Sequence, residues 1–336
     1  MKELEKKLLN FSFSHIYIEK EAFDYPLTKK ILEKFPNSSV IELKIYKEIF
    51  SKGNQNFIMQ KKSPKLILAV KKENYLYEGA KVCESFGNDN FYYTSSIMNC
   101  IYDCEYCYLQ GVYTSANIVI FVNIEDCFSE IERILQKKSM YICISYDTDL
   151  LAMEGITGLV GQWYDFVSRN KKLKIELRTK SGNIKVLKNL KPKDNFILAW
   201  TLSPKEFAVQ HENGAASLEQ RLKAASEMLE KGWKVRICFD PVIYMKNFDE
   251  EYGELVKKTF NKLSPNKILD VNIGTFRISK EYLKRMRKYR ATSEVLSYPF
   301  FCKDGVYSYY PQHINEMMDF MEREVKKYIE EEKIFI

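Results

Sequence analysis

Residues 95–113 read SSIMNCIYDCEYCYLQGVY and set Cys100, Cys104 and Cys107 in a C-x3-C-x2-C run with an aromatic before the last cysteine. Three thiolates this close suit three irons of a cubic 4Fe–4S cluster. The fourth iron would find no cysteine in the run and would stay open to another ligand. Zinc competes for such a spacing, but zinc sites usually take C-x2-C pairs and repeat the pair later. The other cysteines, Cys83, Cys127, Cys143, Cys238 and Cys302, form no such pair. A disulfide framework fits poorly in a chain of 336 residues with no secretory signal. Unrelated buried thiols are the remaining alternative.

An open iron is what a radical S-adenosylmethionine (SAM) enzyme needs. SAM chelates that iron, and an electron from the cluster cleaves it into methionine and a 5′-deoxyadenosyl radical. Working outward from the triplet, the chain alternates between strand and helix patterns. Candidate strands are 90–96, 118–122, 141–145, 174–178, 196–202, 234–239 and 268–275, most of them short apolar runs of the kind buried in parallel sheets. Between them, 125–137, 157–169, 217–231 and 248–263 carry apolar residues at spacings of three and four. The third opens with a Ser217-Leu218-Glu219-Gln220 capping box and stops at Gly232. About six β-α units in series predict an α/β barrel, complete or partial. The triplet follows the first strand, at the end of the barrel where such enzymes keep their chemistry.

Residues 1–89 do not continue the pattern and read as a small N-terminal α/β module. Residues 90–290 form the barrel, and 291–336 a C-terminal β-hairpin, turning at Lys303-Asp304-Gly305, followed by a helix over 312–331. The N-terminus has no apolar h-region or cleavage site, and no run approaches a membrane-spanning length. A cytoplasmic protein without membrane association is expected, and eight cysteines fit a reducing compartment. The net charge of +7, from 52 Lys and Arg against 45 Asp and Glu, permits nucleic-acid binding without requiring it. The three histidines, His15, His211 and His313, have no ligand spacing, and neither a P-loop nor G-x-G-x-x-G is present.

The chain resembles the spore photoproduct lyase family, in particular its clostridial-type branch. The likeness runs over most of the chain through CIYDCEYCYLQG, FVNIEDCFSEI, ISYDTDLLAMEG, ELRTKSGN, AWTLSP and SLEQRLKAASEMLEKGWKVRICFDPVIY. It implies a partial (β/α)6 TIM-type radical SAM barrel. It also implies repair of a UV lesion of spore DNA, in which a methylene bridge joins two thymines. The radical takes a hydrogen from the lesion, the bridge breaks, a hydrogen is returned, and SAM is regenerated. Cys100, Cys104 and Cys107 would hold the 4Fe–4S cluster, and Tyr106 and Tyr108 would take part in radical transfer, with packing beside the cluster as the plainer role for Tyr106. Lys180 matches a family SAM contact, suited to the methionyl carboxylate. Ser145, Asp147, Asp149 and Thr201 lie where they can reach SAM, although Asp and Ser also favour helix caps. In another branch a cysteine returns the final hydrogen. Here Tyr146 stands in its place, and Cys143, three positions earlier, is the second candidate. An unidentified reductase such as a flavodoxin or ferredoxin would deliver electrons.

A lesion in duplex DNA must leave the stack to be repaired. Basic residues of 276–290, namely Arg277, Lys280, Lys284, Arg287 and Lys288, are candidate phosphate contacts, with a merely solvated helix face as the alternative. The hairpin at 300–310 corresponds to the family's DNA-inserted hairpin, with Lys303 at its turn as a candidate phosphate contact and Phe301, Tyr307 or Tyr309 as the candidate rings to fill the gap. Other readings are a different radical SAM reaction, or a zinc-containing DNA-binding protein.

Overall fold

The computed structural model describes residues 12–80 and 83–336. The N-terminal stretch judged for a signal sequence therefore lies, through residue 11, outside the described residues. Six parallel strands form the centre: β1 (Phe91–Tyr93), β2 (Met140–Cys143), β3 (Leu173–Thr179), β4 (Phe196–Thr201), β5 (Lys234–Val242) and β6 (Asp270–Thr275). Each pairs in parallel with the next in chain order. A helix lies in every crossover: Ile124–Leu135, then Leu150–Thr157 with Leu159–Arg169, Lys185–Lys188, Leu218–Glu230 and Phe248–Lys262. This is the winding of a partial (β/α)6 barrel. The sheet gains Tyr77–Glu78 antiparallel to β1 and Ile334–Phe335 parallel to β6.

Strands β2 and β4 are buried at every residue, because helices cover one face and the barrel interior the other. That interior is partly ionic. Arg236 Nη1 donates to Tyr141 Oη at 2.7 Å and Nη2 to Asp270 Oδ2 at 2.7 Å, and Arg178 Nε donates to Glu176 Oε1 at 3.0 Å. Burial pushes the Glu176 carboxyl up, but the Arg178 and Arg236 charges outweigh it and hold the group at about 2.

The local signals are realised. Ser217 and Gln220 exchange both capping-box hydrogen bonds, and Gly232 ends the helix at φ 88°. Asp304 and Gly305 take successive φ of 50° and 78°, the two-residue hairpin turn joining Phe301–Lys303 to Val306–Ser308. The hairpin is anchored by a third strand, Arg277–Ser279, which follows β6 and pairs with Val306–Ser308. Helix Pro311–Lys326 comes next.

One strand is placed differently from expectation. Residues 118–122, read as part of the barrel, form Ile118–Phe121 and pair in parallel with Leu66–Ala69. The second sheet runs Ser39–Leu43, His15–Glu19, Leu66–Ala69, Ile118–Phe121 and Ile97–Met98. A fully buried run such as Ile-Val-Ile-Phe records that both its faces are covered and not which sheet covers them. Among the described residues no helix is long and apolar enough to cross a membrane.

Candidate active site

The cysteine loop has little regular structure, so its shape is imposed by clamps from three directions. From the N-terminal sheet side, Lys61 Nζ donates to Cys100 O and Tyr102 O, both at 2.7 Å. From the segment after β4, Glu212 and Asn213 pair antiparallel with Cys104 and Asp103, and Glu105 N donates to His211 O at 2.8 Å. From helix Lys280–Tyr289, Arg285 Nη1 donates to Gly111 O at 2.7 Å and Val112 O at 2.9 Å. Arg290, the residue after that helix, binds Gln110 Oε1 at 2.7 Å and pairs with Asp103. Contact is so close that a Cβ on Gly111 would meet Tyr282 Cβ at 2.3 Å, which explains the glycine of YLQG.

The three thiols are free. Burial pushes all three up, Cys100 to about 12, so they are protonated in the metal-free protein at neutral pH. Soft thiols desolvated together on one braced loop suit iron, which would displace those protons. Among the described residues no three His, Cys, Asp or Glu side chains converge as ligands of a single ion. Ligands of a cubic cluster each hold a separate iron and need not converge.

Beside Cys104 lies a buried charge cluster centred on Glu212. Its carboxylate pairs with Arg221, accepts from Tyr106 Oη and from Ser203 Oγ (2.9 Å), and stands 3.7 Å from Lys180 Nζ. Lys180 Nζ also lies 5.2 Å from the Tyr106 ring centroid. Burial would raise the Glu212 pKa, but the Lys180 and Arg221 charges and the hydrogen bonds win and hold it at about 2. Tyr106 is thus fixed by Glu212 and packed on Phe207. Composition shows no sign of this arrangement, because Glu212 follows Tyr106 by more than a hundred residues.

Strand β2 ends at Cys143, so Ser145 lies in the loop beyond it. Ser145 Oγ accepts from Arg178 N at 2.7 Å. Asp149 caps helix Leu150–Thr157 through Ala152 N and also takes Thr179 Oγ1 at 2.8 Å and Lys180 N at 2.7 Å. Its lone pairs serve the fold, and burial raises its pKa against those bonds. Asp147 faces Ser95, Tyr113, Tyr108 and Lys71; burial pushes its carboxyl up while these partners oppose the shift. Thr201 is buried, and its carbonyl accepts from Arg221 Nη1 at 3.1 Å.

Tyr146 joins a run of rings. Tyr108 Oη donates to Tyr146 O at 2.6 Å, with ring centroids 5.8 Å apart. Tyr146 stacks on Tyr93 at 4.0 Å, and Tyr93 on Tyr77 at 5.0 Å. Tyr146 Oη lies 3.7 Å from Cys83 Sγ. Cys83 did not emerge from the sequence as a site residue. Its only local sign is a cysteine in a polar loop just ahead of β1, instead of in an apolar run. Cys143 is buried near Glu176 and Arg178, its thiol raised by burial to about 12.

A profile described as spore photoproduct lyase matches residues 11–335. The chain belongs to the spore photoproduct lyase family. The spore photoproduct lyase of Clostridium acetobutylicum is 25% identical over 286 residues, which are 82% of each chain. That of Bacillus subtilis is 20% identical over 251 residues, 72% of this chain and 71% of its own. A solved spore photoproduct lyase mutant with AdoMet and dinucleoside spore photoproduct bound superposes with a TM-score of 0.82 at 17% identity, over 96% of this chain and 97% of the other. The fold is therefore the family's fold.

Within that family fold, the basic residues expected at DNA divide into two groups. Arg277 Nη1 is 3.2 Å from Asp240 Oδ1 and donates to Thr275 O at 3.0 Å. Arg287 donates to Leu296 O (2.7 Å) and Tyr298 O (2.8 Å). Lys280, Lys284 and Lys288 are exposed and have no ion-pair partner among the described residues. Lys303 is exposed on the hairpin and Tyr307 half-buried within it. Phe301 is exposed as a wedge would be, whereas Tyr309 is a core residue.

Proposed function

We propose that this protein is a radical SAM DNA-repair lyase that returns the spore photoproduct in UV-damaged double-stranded DNA to two thymines. The observation that carries this reading is a clamped three-cysteine loop on a family fold whose solved relative holds AdoMet and the dinucleoside lesion. Cys100, Cys104 and Cys107 would hold a 4Fe–4S cluster, with SAM on the open iron. When bound, these groups would supply the one-electron chemistry that the repair requires.

The chain's own residues prepare that chemistry. Lys180, held beside Cys104 by Glu212, offers a cation to the SAM carboxylate. Thr148 Oγ1 is buried without a partner among the described residues, in the loop after β2, which leaves hydrogen-bonding capacity for a bound ligand. Ser145, Asp147, Asp149 and Thr201 shape the same end of the barrel, Asp149 as the brace for Lys180 N. Cys83 is the best-placed thiol to return a hydrogen atom at the Tyr146 position; Tyr146 Oη–H beside it would restore the thiol, and the hydrogen lost from Tyr146, with Tyr108 next to it, would be replaced by the one first taken from the lesion. Cys143 sits deeper, against the ionic interior.

Lys280, Lys284, Lys288 and Lys303 would meet phosphates, and the hairpin would enter the opened duplex. Electrons would come from a flavodoxin- or ferredoxin-type reductase in the cytoplasm. The test is anaerobic. Protein reconstituted with iron and sulfide is given SAM, reductant and dinucleoside spore photoproduct, and products are separated by chromatography. Conversion to the unmodified thymidine dinucleoside is expected. A sample that carries iron and cleaves SAM but leaves the lesion intact would refute the assignment.

A further inference from the structure

Large aromatic side chains are usually drawn out of water. Three that remain well exposed are Tyr244 (40%), Phe301 (41%) and Tyr310 (46%). Tyr244 is far along the chain from Phe301 and Tyr310, which flank the hairpin, yet the three form one strip. The centroids of Phe301 and Tyr310 are 5.8 Å apart, Tyr310 and His313 are 6.4 Å apart, and His313 stacks on Tyr244 at 4.7 Å with 6° between planes.

The strip is held from beneath. Tyr298 Oη meets His313 Nδ1 at 2.6 Å, and the buried Tyr309 accepts Tyr244 N on its hydroxyl at 3.0 Å. Rings fixed in advance lose little freedom when a flat ligand lands on them. Tyr244 lies just beyond the C-terminal end of β5, and the hairpin sheet is built on the segment just beyond β6. Because the cysteine loop follows the same end of β1, the strip stands on the rim of the barrel mouth that carries the candidate site. Lys246 and Lys303 flank it, both exposed and without ion-pair partners among the described residues. A row of stacking faces bordered by cations suits a polyanion that carries flat rings.

We propose that the strip of Tyr244, His313, Tyr310 and Phe301 is a stacking platform for unpaired DNA bases, those of the strand opposite the lesion once the hairpin has opened the duplex. This rests on the repair reading and deepens it. Such a platform binds without reading sequence, since every base offers a π-face. It would keep the opened strand from re-pairing while the lesion occupies the barrel.

The experiment compares wild type with Tyr244→Ala, Tyr310→Ala, Tyr244→Phe and Tyr310→Phe, as reconstituted protein under anaerobic conditions. Fluorescence anisotropy reports affinity for a labelled duplex with one central spore photoproduct, and chromatography reports repair of the dinucleoside lesion, which has no opposite strand. Each alanine variant should bind the duplex about 5- to 150-fold more weakly and repair the dinucleoside at the wild-type rate. Each phenylalanine variant should bind as wild type does. Unchanged duplex affinity in the alanine variants overturns the platform. So does a loss confined to the rate of reduction by a flavodoxin, which would make the strip a protein-docking surface. If wild type fails to repair the dinucleoside, the lyase reading falls, while the binding comparison still decides the platform.

Discussion

Glu212→Gln should destabilise the protein without removing a group that touches a bound ligand. The wild-type carboxylate is buried against Arg221, whose side chain is 1% exposed, and Lys180, whose side chain is 18% exposed. Glutamine keeps an acceptor for Tyr106 and Ser203 but leaves both cations uncompensated. Removing one partner of a buried ion pair costs about 3–5 kcal/mol. The depressed acidity gives a second route to the magnitude. A drop from the usual 4.5 to about 2 corresponds to ~3 kcal/mol at about 1.4 kcal/mol per unit. The two agree within their precision.

The pH dependence carries a definite sign. A carboxyl whose folded pKa is depressed contributes stability in full above its unfolded value, near 4.5, and loses that contribution as pH falls towards 2. The gap between wild type and Glu212→Gln should therefore stand at ~3 kcal/mol or more at neutral pH and shrink by about 2 kcal/mol on acidification to about pH 3. Urea unfolding of the metal-free protein, at neutral pH and at steps below pH 5, measures it. A neutral-pH gap under about 1 kcal/mol, or one that stays constant into acid, would mean the charge cluster does not act as described.

Two further predictions concern catalysis and DNA. Cys83→Ala should slow clean repair at least about tenfold, ~1.4 kcal/mol in the barrier, and divert the lesion to other products, with Tyr146→Phe affecting the same step and Cys143→Ala leaving it near wild type; product analysis that shows clean repair by Cys83→Ala eliminates this thiol. Replacing Lys280, Lys284 and Lys288 with alanine should flatten the dependence of log affinity on log salt by about 0.9 per lysine that meets a phosphate. An unchanged slope would leave them a solvated face.

Much of the fold was legible because its signals are local. A capping box at Ser217, a two-residue turn at Asp304-Gly305 and runs such as Phe196–Thr201 act within a few residues, so sequence displays them directly. Ile118–Phe121 was visible as a strand but not as a member of the N-terminal sheet, because pairing depends on a partner about fifty residues away. The arginines show the same limit. Arg285 and Arg290 belong to a basic run that reads as a DNA-facing helix, yet they tie down the cysteine loop. Charge density in a sequence does not tell which cations are already occupied.

The sequence alone determined the donor set, since it sets three cysteines within eight residues. It also determined the order of β-α units that sets the loop at one end of a barrel. Only the tertiary structure decided how that loop is held and what stands beside it. Lys61, Glu212 and Arg285 reach it from distant elements, and Cys83 meets Tyr146 across 63 positions of chain. Short-range spacing survives in any fold, whereas contacts between distant segments exist only once burial of the core has brought those segments together.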